Sequence, residues 1–243
     1  MFNILCLFTV YFIMNPILET LINKRAVWQG KYTPKPENTV QSGYPELDKQ
    51  LGGGIPQQGV IDLQSDIGIG ELRLFLPYLR ERHQRQQRLM AYIAPPIMLN
   101  SEMLVAYGIE LSRILIIEPK NEQEALWAAE QCLKSGCCHS VLLWQTQLQV
   151  HQVKRLQLAA QQGAALQVMF RPEQQIAMGL PTTLSLQLTP NPTGVEVTIR
   201  RRRGGRSSEP FQINMHRHWP ELTLPESPVS GGNIIPFPGR QAV

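Results

Sequence analysis

The chain has 243 residues, of which 43% are apolar, so it can bury one substantial core; with no long central linker it reads as one domain with tails. The formal charge of +4 is uneven: sixteen basic and fifteen acidic residues lie up to Gly194, and seven basic and four acidic residues beyond it. Cys6, Cys132, Cys137 and Cys138 contain no C-x-x-C pair and two are adjacent, which argues against a disulfide framework or a zinc site and for a reducing cytoplasm.

Residues 1–13 are almost wholly apolar, yet they lack a basic start and a small-residue cleavage site. They also fall short of the ~20 residues a bilayer span needs. The expectation is an upstream extension of the reading frame, with translation starting at Met14 and a membrane anchor as the alternative. Asn15-Pro16 has the form of an N-cap followed by proline at the first helical position, so 14–40 reads as an N-terminal helix and linker.

From Val60 onward, short apolar runs alternate with segments of helical period, the pattern of βα units around a parallel sheet. Strands are predicted at Val60–Gln64, Leu89–Ala94, Ile114–Glu118, Ser140–Leu143 and Leu166–Phe170. After the first strand, Leu72, Phe75, Leu76 and Leu79 follow i, i+3, i+4, i+7, and Arg80 to Arg88 read as a wet, charged exit. Pro77 lies inside that helix and removes a backbone bond, which predicts a kink. A second helix, Glu122 to Lys134, would bury Ala125, Ala129, Cys132 and Leu133 and stop at Gly136. Beyond Phe170, Leu184–Thr189 and Val195–Arg201 read as a hairpin around residues 190–194, with Phe211–Asn214 adding a strand, all antiparallel at the sheet edge. Residues 41–219 thus form the domain, and the Pro/Gly/Ser-rich stretch 220–243 reads as a disordered tail.

Between the first strand and its helix runs Ser65-Asp66-Ile67-Gly68-Ile69-Gly70-Glu71-Leu72, in the frame of the phosphate loop G-x-x-x-x-G-K-[ST]. A working loop surrounds phosphates with backbone N–H groups, sets a lysine on the β/γ-phosphates and gives Mg²⁺ a hydroxyl. Ser65 replaces the first glycine, Glu71 the lysine and Leu72 the hydroxyl residue. An anion at the cation's position repels a triphosphate. Gly68 and Gly70 then keep a structural turn, with a weak residual nucleotide site as the competing reading.

Ser42-Gly43-Tyr44-Pro45-Glu46-Leu47-Asp48 through Leu51-Gly52-Gly53-Gly54-Ile55-Pro56 resembles the opening of RecA-type recombinase cores. Tyr107-Gly108-Ile109-Glu110-Leu111 before Ile114 is similar to that family's passage into its third strand. Pro95 and Pro96 stand where RecA-like ATPases carry the water-activating carboxylate, and Trp144 takes the neighbourhood of the metal-organising aspartate. With the lysine and hydroxyl also gone, phosphoryl transfer has lost the positioned charge on which it depends. The resemblance therefore implies a RecA-like α/β fold, a mostly parallel sheet flanked by helices with antiparallel strands at its C-terminal edge, but no ATPase activity, no cofactor and no metal. Within that group Leu76-Pro77, Ile93-Ala94-Pro95-Pro96, Ala125 to Gln131 and Leu142-Leu143-Trp144 resemble the ImuA and SulA-like SOS-response family over about Val27 to Asn214.

The ImuA-type resemblance implies an accessory adaptor for error-prone translesion synthesis, contacting RecA and an ImuB-type polymerase-like partner. The SulA-type resemblance implies an inhibitor that binds the tubulin-like division protein FtsZ. The complete RecA-like start and the length beyond Phe170 favour the first; a weak nucleotide switch is the third reading. Arg200, Arg201, Arg202, Arg203 and Arg206 form the one concentrated charge run, readable as a single-stranded DNA contact or as a solvated edge that deters strand pairing. His216 and His218 read as surface histidines. Trp127, off the predicted core face, is a candidate partner anchor, as are Ile235 and Phe237 in the tail. A cytoplasmic protein without membrane contact is expected.

Overall fold

The computed structural model describes residues 38–172 and 180–224. The expectations for 1–13, for 14–37 and for Ile235 and Phe237 lie outside the described residues. Short strands β1 (Thr39–Val40) and β2 (Ile55–Pro56) pair antiparallel on either side of α1 (Pro45–Leu51). Leu47 and Leu51 of α1 are buried.

The main sheet has eight strands: β3 (Gly59–Gln64), β4 (Leu89–Ile93), β5 (Ile114–Ile117), β6 (Cys138–Trp144), β7 (Leu166–Arg171), β8 (Leu184–Asn191), β9 (Gly194–Arg202) and β10 (Phe211–Asn214). Their spatial order is β10-β9-β8-β3-β7-β6-β4-β5. Every pairing from β8 to β5 is parallel, and β9 and β10 are antiparallel. The fold is therefore mixed α/β, a large and mostly parallel sheet flanked by helices.

Helices α2 (Glu71–Arg85) and α3 (Ser101–Ala106) carry the chain outward from β3 to β4 and β5; α4 (Glu122–Lys134) and α5 (Val150–Gln162) bring it back through β6 to β7. Reversing the direction of travel while keeping right-handed crossovers places the two helix pairs on opposite faces. The two cores match this. Ile61, Leu63, Tyr92, Leu142 and Val168 pack with α1, α2 and α3, whereas Val60, Ala91, Ile93, Val141, Leu143 and Met169 pack with α4 and α5. Both faces being covered explains why these strands read as continuous apolar runs.

Several expectations change. β8 pairs in parallel with β3 and so extends the parallel sheet; only the β8–β9 and β9–β10 pairings are antiparallel. The hairpin is tighter than residues 190–194, because Asn191 pairs with Gly194 and leaves Pro192-Thr193 as the turn. Arg82 and His83 are buried, not part of a wet exit, since the last turn of α2 tucks under the sheet instead of leaving it. Cys132 is half-buried; Ala128 and Glu130 join Ala125, Ala129 and Leu133 on the inner side of α4. Pro220–Leu222, assigned to the tail by sequence, form a 3₁₀ turn, and Leu224 N–H donates to Pro192 O at 2.9 Å.

Candidate functional site

The turn from β3 into α2 closes on its own side chain. Gly68 has φ 90° and Gly70, the N-cap of α2, φ 117°, conformations glycine reaches without a Cβ penalty. Such alternation turns successive backbone N–H groups inward as an anion nest. The Glu71 carboxylate occupies it: Gly68 N–H donates to Oε1 at 3.0 Å and Oε2 at 3.1 Å, and Gly70 N–H to Oε2 at 3.0 Å. Glu71 is only 8% exposed, and it also sits at the positive end of the α2 dipole. Sequence reasoning reads Glu71 as a repulsive charge. The geometry adds that this charge takes the seat of the anion. Leu72 is half-buried against the first core, and Ser65 is buried with its N–H on Arg171 O at 2.9 Å.

Beside the nest, the carboxyl ends of β3, β4, β6 and β7 border a cleft of 330 Å³. In open α/β sheets ligands bind in this position. Pro96, Glu71, Asn121, Glu122, Trp144 and Gln145 are among its walls. Trp144 stacks on Phe170 with ring centres 4.5 Å apart and 9° between planes, and Tyr92 lies 6.1 Å from Trp144 at 15°. Trp144 and Pro96 thus do border the site, as the sequence frame expects, with apolar surface where a nucleotide site would need charge.

Gln145 is missed by sequence reasoning. It is 6% exposed; its Nε2 donates to Gln147 O at 3.0 Å and its Oε1 has no hydrogen-bond partner. Nothing in the sequence singles out one glutamine among many, because the orphan atom exists only once neighbouring loops are in place. Behind the cleft, Arg171 Nε and Nη2 donate to Asp62 Oδ1 at 2.7 Å and Oδ2 at 3.1 Å, a buried bidentate pair between β7 and β3.

A second buried polar group also escapes the sequence. Glu110 N–H donates to His83 Nε2 at 3.2 Å, which leaves the His83 proton on Nδ1, directed at His139 Nε2 at 3.3 Å. His139 then carries its proton on Nδ1 toward Ser140 Oγ at 2.9 Å. Each ring is neutral in this relay. Burial pushes His139 down to about 3, and the neighbouring Arg82 acts in the same direction; burial and then Arg113 lower His83.

The arginine run is dispersed. Arg201 Nη1 donates to Leu180 O at 2.7 Å and Arg202 Nη1 to Gln50 O at 3.0 Å, while Arg200, Arg203 and Arg206 are exposed. His216 turns to Thr223, and His218 to Gly43 O and Tyr107, so the two rings do not converge. Among the described residues, no group of three or more His, Cys, Asp or Glu could hold a metal ion, and no helix is long and apolar enough to cross a membrane. Trp127 is 64% exposed on α4, on the rim of a 340 Å³ groove shared with Arg155 and His151 of α5.

Fold and site together define a mixed α/β protein whose first strand-to-helix turn keeps an anion nest and fills it with its own carboxylate. Residues 63–167 match the family model described as "Cell division inhibitor SulA". SulA of Pseudomonas aeruginosa strain PAO1 is 36% identical over 101 residues, 41% of this chain and 63% of that protein. SulA of Edwardsiella piscicida is 29% identical over 124 residues, 49% of this chain and 72% of that protein. RecA of Nostoc punctiforme is 28% identical over 127 residues, 52% of this chain and 35% of that protein. The crystal structure of SulA from P. aeruginosa, 32% identical, spans 47% of this chain and 98% of that chain with a TM-score of 0.41. The chain thus spans less than two thirds of the P. aeruginosa SulA sequence. Through this segment it is similar to the SulA and RecA proteins of the SOS response.

Proposed function

We propose that this chain is a non-enzymatic protein of the SOS response that restrains cell division through contact with the tubulin-like protein FtsZ in the cytoplasm. The observation that carries this reading is the match of 63–167 to the cell division inhibitor family. The non-enzymatic part is supported by Glu71: a nest whose Gly68 and Gly70 N–H groups already bond its carboxylate offers a phosphate neither donors nor positive potential. A RecA-like ancestry accounts for the turn being there, and the partner contacts would be made by the outer surface of the fold. The test is pulsed expression in dividing cells, with FtsZ pelleting in the presence of the purified chain. Filamentous cells and a stoichiometric loss of FtsZ polymer are expected; normal septation and unchanged polymer at excess protein would overturn the reading.

A second reading, an accessory adaptor for translesion synthesis acting with RecA and an ImuB-type polymerase-like partner, draws on a different observation. Similarity to RecA extends over 127 residues, and β8, β9 and β10 lie beyond the segment matched to SulA. Co-purification from DNA-damaged cells separates the two: RecA and a polymerase-like protein without FtsZ would favour the adaptor.

A further inference from the structure

The cleft beside the filled nest is used by neither reading. Its aromatic component is the Trp144–Phe170 stack, and its polar atoms are biased toward acceptors. Gln145 Oε1 is buried without a donor, and the orientation of the amide is set by its other end: reversing it would place oxygen against Gln147 O. Glu71 and Glu122 bring two carboxylates to the wall. Arg171, the one basic residue among the described lining, is held by Asp62.

Two helix N-termini border the cleft and would by themselves draw an anion. Each is answered from within its own first turn. Glu71 fills the end of α2; at α4, Asn121 Oδ1 accepts from Glu124 N–H at 2.9 Å, with Glu122 and Glu124 following. What remains is an apolar slot with an orphan acceptor and excess negative charge.

We infer that this cleft binds a small planar cation carrying N–H donors, an amidinium, guanidinium or protonated amino-heterocycle. It packs against the Trp144–Phe170 stack and donates to Gln145 Oε1 and the Glu122 carboxylate. The flat face suits an aromatic wall, the donors supply the bond Gln145 lacks, and the positive charge answers both acids. A phosphate-bearing ligand fails on each count. The inference is independent of the choice between FtsZ and polymerase partners.

The test titrates the full chain with benzamidine, with N-acetylarginine amide, with benzoate and with Mg-ATP, followed by calorimetry and tryptophan fluorescence. Saturable binding of at least one of the two cations is expected, weakened about tenfold in Gln145→Leu and strengthened in Gln145→Glu, with neither anion competing. Tighter binding of benzamidine assigns a free small molecule as the source of the cation; tighter binding of N-acetylarginine amide assigns an arginine side chain of a partner. Thermal unfolding of Gln145→Leu confirms that it folds, and Gln145→Glu is read in the same way. The inference is overturned if neither cation binds, if benzoate binds as well as benzamidine, or if both Gln145 variants bind like the parent chain.

Discussion

The hydroxyl of Tyr44 donates to the carbonyl of Arg73 at 3.1 Å, the same carbonyl that Pro77, four residues on in α2, cannot serve. Trp219 Nε1 in turn donates to Tyr44 Oη at 3.2 Å, so the proline's missing bond is supplied by a relay from both ends of the domain. Burial pushes the Tyr44 hydroxyl well above its ordinary range, keeping it a neutral donor. Tyr44→Phe is expected to cost about 1–3 kcal/mol in urea unfolding. Pro77→Ala restores the helical N–H, so the same tyrosine change should cost about 1 kcal/mol less in that background; equal costs in both would refute the relay.

Glu71→Ala empties the nest. Its loss should lower stability by about 1–2 kcal/mol, because the Gly68 and Gly70 N–H groups before α2 lose their acceptor. Added inorganic phosphate should then raise the melting temperature of the variant more than that of the parent chain. An equal response in the two proteins would show that the nest does not select anions.

The His83–His139 relay sets a pH dependence. Both folded values lie below that of free histidine, so below about pH 6.5 the unfolded chain takes up protons that the folded chain refuses. Stability from this source is complete above pH 6.5 and is lost as pH falls, with a slope approaching about 1.4 kcal/mol per pH unit for His139 and a contribution of the same sign from His83. The groups facing the pair are Arg82, Arg88, Arg113 and Glu110, and the three cations reinforce its neutrality. Unfolding curves between pH 7 and pH 5 should show the loss, and His139→Asn should flatten it; an unchanged slope in that variant would exclude His139 as the source.

Asp62 and Arg171 illustrate the asymmetry of buried charge. Asp62→Ala leaves the Arg171 guanidinium in the core and should cost about 3–5 kcal/mol, whereas Asp62→Leu combined with Arg171→Leu should cost much less. Chemical denaturation of the two variants measures the difference. A double variant as unstable as the single one would show that other partners of these side chains dominate.

Trp127 is 64% exposed, so Trp127→Ala should alter stability by less than about 0.5 kcal/mol. If α4 carries the partner surface, the same change should weaken binding to the functional partner by tenfold or more. On the proposed cell-division role, an unchanged effect of the variant on FtsZ polymer would remove α4 from the interface.

The strands and the long helices were legible because each is a local periodic signal. The helix Glu122–Lys134 is legible at both ends, since a stripe of apolar residues at helical spacing runs up to the glycine at 136 that stops it. The last turn of α2 is not legible locally, because Arg82 and His83 look solvated in any short window. Only the packed structure shows that Arg82 reaches Gln57 O and Tyr78 Oη and that His83 meets His139. The parallel placement of β8 escaped for a related reason: strand direction depends on a neighbour more than 120 residues away.

By itself, the sequence determined the alternation of strands and helices, the residues that make the turn from β3 into α2, and the similarity to SulA and RecA that the comparisons uphold. Those properties reside in residue identity and short-range spacing. Only the tertiary structure decided where the replacements point. It turned Glu71 back into the nest, left Gln145 Oε1 without a donor, and joined Pro77 to Tyr44. Each is a matter of direction in space, set by packing between segments that are distant in the chain.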